Sequence, residues 1–81
     1  MKFEDIHFPV YRKYKNNKSY FKIIHPRLFE EIQIIGSKKL VREVNALQLP
    51  EMNFVHDLVF NYSDMAVEID SLEYSAIRDT I

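Results

Sequence analysis

Apolar residues recur at strand-like spacing from Pro9 to Leu47, and from Pro50 onward the period lengthens to that of a helix. Residues 9–15 are aromatic and extended. Asn16-Asn17 follows, and asparagine tolerates positive φ, so the pair suits a tight two-residue hairpin loop. Residues 19–25 form the returning strand, which Pro26 ends by disfavouring helix at His25. Residues 28–35 form a third strand. Its alternation is imperfect, but Ile32, Ile34 and Ile35 are strong β formers. Gly36-Ser37 marks the next turn, with the chain's only glycine where positive φ is needed. Residues 40–47 are the fourth strand, and a two-residue turn sets Glu31 opposite Arg42 and Ile32 opposite Val41.

Pro50 suits a first helical position, and Glu51 suits the positive end of a helix. Met52, Val55, Leu58, Val59 and Tyr62 follow at helical spacing, with Phe54 and Phe60 off the centre of the stripe. This predicts a helix over 50–61. Residues 65–69 make a short fifth strand. Asp70 with Glu73 three residues on is a capping-box pattern opening a helix over 71–79, with Leu72, Ala76 and Ile77 on its buried face. The order ββββαβα predicts an α+β fold: a mostly antiparallel sheet of four to five strands, with both short helices packed on one face. The expected core is Phe21, Ile23, Ile32, Ile34, Val44, Leu47, Val55, Leu58, Ile69 and Ile77. Residues 1–8 show no period and are expected to fray. No repeat or low-complexity tract divides the chain, so residues 1–81 read as one domain.

Composition narrows this picture. Hydrophobic content of 47% and charged content of 28% over 81 residues fit a folded globular domain and argue against disorder. With no cysteine, disulfides, thiolate metal sites and cysteine nucleophiles are excluded, which favours a reducing compartment. The N-terminus MKFEDIHF lacks an apolar run of signal length, and no stretch reaches the ~20 apolar residues of a membrane span. A cytoplasmic protein without membrane attachment is expected.

Candidate chemistry is sparse. His7, His25 and His56 lie far apart in sequence, without the close spacing of a local metal pair. Glu30 and Glu31 are neighbours in a strand, so they point to opposite faces and cannot act as a local acid/base pair. There is no nucleophile elbow, and one glycine cannot build a phosphate loop. The expectation is no catalytic residue, no metal and no cofactor.

Charge supplies the least generic feature. The net charge of −1 divides into ten Lys/Arg against four acids in residues 1–42, a balance of +6. Residues 43–81 hold one base against eight acids, a balance of −7. If Asn16-Asn17 closes a two-residue loop, Lys15 faces Lys18, Lys13 faces Tyr20 and Tyr11 faces Lys22. Tyr11, Lys13, Lys15, Lys18, Tyr20 and Lys22 then share one side of the sheet. Val10, Arg12, Tyr14, Ser19, Phe21 and Ile23 share the other, mostly apolar side. Lysines supply charge contacts and tyrosines supply large, rigid contact area. The six are therefore the candidate partner-binding residues. The plainer account is that lysines guard a strand against aggregation and the two charged halves neutralise each other within the molecule. The leading expectation is a non-enzymatic interaction or regulatory protein using this exposed Tyr/Lys face, through a protein partner or self-association. The alternative is a nucleic-acid-binding module on the same face, and a small enzyme comes last.

Overall fold

The structure is a computed structural model that describes residues 2–80. Its strands are β1 (Val10–Tyr14), β2 (Ser19–His25), β3 (Leu28–Ile35), β4 (Lys38–Asn45) and β5 (Ala66–Glu68). Its helices are α1 (Leu49–Phe60) and α2 (Ser71–Arg78), preceded by a 3-10 turn at Phe3–Asp5. The five strands form one sheet in the order β4-β3-β2-β1-β5, antiparallel at every pairing, so the α+β order ββββαβα stands. Among the described residues no helix is long and apolar enough to cross a membrane.

Local chemistry sets the registers. The first turn occupies residues 15–18 rather than two residues. The Asn17 N–H donates to Tyr14 O at 2.9 Å, and Asn17 takes a φ of 61°. The register is still the one a two-residue loop implies, with Tyr11 opposite Lys22 and Lys13 opposite Tyr20. In the next hairpin Glu31 faces Arg42 and Ile32 faces Val41. Gly36 there has a φ of 62°, and a Cβ added to it would meet nothing within 4 Å. Its role is therefore conformational and not steric. Gly36→Ala should cost about 1–2 kcal/mol in urea unfolding, the penalty of the left-handed region for an L-residue, and Gly36→Asn should recover much of that.

Both faces of the sheet are apolar at their centre, and a different helix covers each. One face presents Val10, Phe21, Ile23 and Phe29, packed against Val55, Leu58 and Val59 of α1. The other presents Tyr20 and Ile32, flanked by Tyr11, Ile34 and Val41, and packed against Tyr74 and Ile77 of α2. The expected placement of both helices on one face is thus corrected. The reason lies in β3 and β4: Ile32, Ile34 and Val41 extend the Tyr20 side into an apolar surface that needs its own cover. The connection makes this possible. Twelve residues of α1 span about 18 Å, close to the roughly 19 Å between strands four places apart. So α1 crosses the first face from the β4 edge to the β1 edge, β5 adds beside β1, and α2 returns over the opposite face.

Three further expectations change. Residues 3–8 are packed rather than frayed, since Phe3, Ile6 and Phe8 sit against the α1 cluster and the Phe3 ring lies 5.1 Å from that of Phe60. Leu47 is 69% exposed because β4 ends at Asn45 and the chain turns there, burying Ala46 instead. In α2, Leu72 is 79% exposed and Ala76 is also outside, while Tyr74 is the buried anchor. Asp70 does cap this helix, accepting the Glu73 N–H at 2.8 Å.

Candidate functional site

Tyr11, Lys13, Tyr20 and Lys22 share one face of the sheet, α2 lies on that face, and Lys15 and Lys18 sit in the turn at its end. Tyr20 is only 6% exposed, in a cluster with Ile32 and Tyr74, so its expected exposure is corrected. Tyr11 is half-buried, its ring 5.4 Å from that of Tyr74. Lys13 is half-buried and its Nζ meets Glu73 Oε2 at 2.8 Å. That hydrogen bond raises the Lys13 pKa above its ordinary value, helped by the Glu73 charge and opposed by partial burial. Lys22 is half-buried opposite Glu30. Only Lys15 and Lys18 are fully outside, at the hairpin tip. Their backbones are held there: the Lys15 N–H donates to Met65 O and the Lys18 N–H to Asn16 Oδ1, each at 2.9 Å.

Tyr74 organises the covered part. Its hydroxyl donates to Glu30 Oε1 at 2.7 Å, and Arg78 Nε sits 3.3 Å from the same oxygen. Burial first, and the bond to Glu30 second, hold the Tyr74 phenol far above its ordinary value of 10.0. The sequence carried a signal for this anchor, because Tyr74, Ile77 and Arg78 fall at i, i+3 and i+4 on one helix face. Leu72, apolar yet exposed, marks the opposite face of the helix.

On the other face, Arg12 is a buried cation held without a carboxylate in ion-pair range among the described residues. Its Nε donates to Leu58 O at 3.0 Å and its Nη1 to Tyr11 O at 2.9 Å, and the guanidinium lies 4.0 Å from the Tyr62 ring centroid. Leu58 is in the last turn of α1, where carbonyls lack helical partners and the macrodipole is negative. Arg12 therefore works as a helix cap that ties α1 to β1. Glu31 is also buried there, paired with Arg42 at 2.7 Å, and its charge adds to burial in raising the Tyr14 pKa.

The histidines do not meet. His7, His25 and His56 are exposed, with His25 Nδ1 accepting the Arg27 N–H and the His56 ring tilted against that of Phe60. Among the described residues no three His, Cys, Asp or Glu side chains converge in a way that could hold a metal ion. Comparison of the chain with family models, with curated proteins and with solved structures finds no match.

Proposed function

We propose that this is a non-enzymatic interaction module that engages an acidic protein surface through the exposed Lys15 and Lys18 of the Tyr/Lys hairpin, with the half-buried Lys22 beside them. One observation carries the reading. Among the described residues Lys13 is taken up by Glu73, whereas these three lysines have no carboxylate within ion-pair distance. They belong to one hairpin, Lys15 and Lys18 in its backbone-bonded turn and Lys22 on β2, so positive charge gathers along that hairpin. A surface of that kind steers an anionic partner into place more than it sets final affinity. Base stacking has less support than charge contact, because Tyr20 lies beneath α2 and Tyr11 lies against Tyr74.

The probe is a polyglutamate peptide, with a single-stranded oligonucleotide of mixed sequence in parallel. Wild type should bind polyglutamate at low salt, and binding should weaken as salt shortens the Debye length from about 30 Å at 0.01 M to about 8 Å at 0.15 M. The Lys15→Glu, Lys18→Glu variant alters only exposed positions and should melt as wild type does, yet bind about tenfold or more weakly. Equal binding by both proteins, or binding by neither, sinks the reading. Tighter binding of the oligonucleotide than of polyglutamate would hand the face to nucleic acid.

A further inference from the structure

The two edges of the sheet are unlike. β5 is a three-residue edge, whereas β4 is an edge of eight residues with no neighbouring strand among the described residues. A long open edge is a template for another strand. The backbone shows which groups it offers. The Ala46 N–H donates to Arg27 O, and the Ile34 N–H donates to Lys18 O. Antiparallel ladders alternate, so the even-numbered residues of β4 face β3. The N–H and C=O groups of Lys39, Val41, Glu43 and Asn45 point outward.

We propose that β4 pairs antiparallel with β4 of a second copy of this chain, about a two-fold axis at Val41, to give a continuous ten-stranded sheet. Outward groups must meet outward groups, so a slip of one residue forms no ladder, and only registers two residues apart compete. Charge selects among them. Centred on Val41, Lys39 of each copy faces Glu43 of the other, and the two Val41 side chains meet at the axis. Centred on Arg42, the two arginines face each other and Val41 meets Glu43. Centred on Leu40, Lys38 faces Arg42. The first register alone makes two ion pairs and no like-charge pair.

A second observation points the same way. Glu43 sits directly opposite Glu30 in a non-hydrogen-bonded pair, where side chains are closest. Glu30 is satisfied by Tyr74 and Arg78. Glu43 has no ion-pair partner among the described residues. Lys39 of a second copy supplies one, giving up only the neutral Thr80 hydroxyl that its Nζ now contacts. On the other side of the strand, the same register sets Lys38 of one copy beside Val44 of the other. That position is the rim of a depression lined by Phe29, Arg42, Val44, Phe54 and Glu51, where Arg42 is already paired with Glu31 and Glu51 is the carboxylate left for the incoming lysine. The charges that guard this edge against indiscriminate pairing thus specify one pairing.

The test is sedimentation of the full chain from micromolar to millimolar concentration. Wild type should show a monomer–dimer equilibrium. Glu43→Lys should raise the dissociation constant about tenfold or more, as two like-charge contacts replace two ion pairs. The same change places a lysine opposite Glu30 within the monomer, so thermal stability should hold or rise, which separates lost pairing from lost folding. Lys39→Glu should weaken the dimer as well, and the double exchange Lys39→Glu, Glu43→Lys should restore it. Glu43→Pro removes one outward N–H while sparing the β3 ladder and should also give monomer. A wild-type chain monomeric throughout, a dimer indifferent to Glu43→Lys and Glu43→Pro, or no rescue by the exchange would each overturn the proposal. None of these variants touches the hairpin lysines, so this outcome and that of the polyglutamate test are independent.

Discussion

Phe21→Ala is expected to cost about 3–5 kcal/mol, a large share of the stability of so small a domain. Phe21 is fully enclosed, at 0% exposure, in the middle of the central strand β2. Its ring lies 5.0 Å from Tyr14, 6.4 Å from Phe29 and 5.6 Å from Phe54, so it joins three strands to α1. Truncation removes those contacts and leaves a void in a core that is one layer of side chains deep, between the sheet and α1. A chain of 81 residues has roughly 4–12 kcal/mol of total stability. The thermal midpoint should therefore fall by roughly 15 °C or more, and the urea midpoint should drop at unchanged slope. Phe21→Leu keeps most of the volume and should cost far less. A midpoint within a few degrees of wild type for Phe21→Ala would mean that α1 does not rest on the sheet through this ring.

The sheet was legible because its determinants are local. The asparagine turn and Gly36 set two registers, Pro26 and Pro50 mark where strand gives way to another element, and Asp70 with Glu73 marks the start of α2. The placement of α2 was not legible, because it is decided by the far surface of β3 and β4. The imperfect alternation of β3 is the trace of this: Phe29 faces α1 while Ile32 and Ile34 face α2. A strand apolar on both sides is what a sheet covered on both faces requires. Of the candidate site, the grouping of Tyr11, Lys13, Tyr20 and Lys22 on one face was legible from period and turn length. Their exposure was not, because the helix that covers Tyr20 comes from fifty residues away in the chain. The charge split has the same explanation in part. Lys13 of the basic half meets Glu73 of the acidic half, which uses up one lysine and leaves the tip of the hairpin charged.

Replacing Tyr74 should release α2 while leaving the rest of the sheet folded. An eight-residue helix has no stability of its own in water, and Tyr74, 3% exposed, is its one buried residue. Tyr74→Ala removes an aromatic ring from the Tyr20 and Ile32 cluster, with an expected loss of about 3–5 kcal/mol in the free energy that holds α2 down. Hydrogen exchange should read this directly. The amides in the last turns of α2 should lose protection, while those bonded in the β2–β3 ladder keep theirs. Retained protection in α2 would show that the ion pairs of Glu73 and Arg78 hold the helix without the ring. Tyr74→Phe separates ring from hydroxyl. It removes the bond to the Glu30 carboxylate, of order 1.5–3 kcal/mol and toward the lower end because Arg78 still serves Glu30. The hydroxyl also makes stability depend on pH. The folded phenol binds its proton more tightly than the unfolded one, whose pKa is near 10.0. Its contribution is therefore complete below pH 10. It is lost as pH climbs from there toward the raised folded value, because the unfolded chain gives up a proton that the folded chain keeps. The slope is about 1.4 kcal/mol per pH unit for one such group. Tyr14, raised by burial, adds to the fall in the same direction. Wild type should lose stability steeply above pH 10, and Tyr74→Phe should lose it with a slope shallower by one proton. Parallel slopes for the two proteins would mean that the hydroxyl is open to solvent and that α2 is held by charge alone.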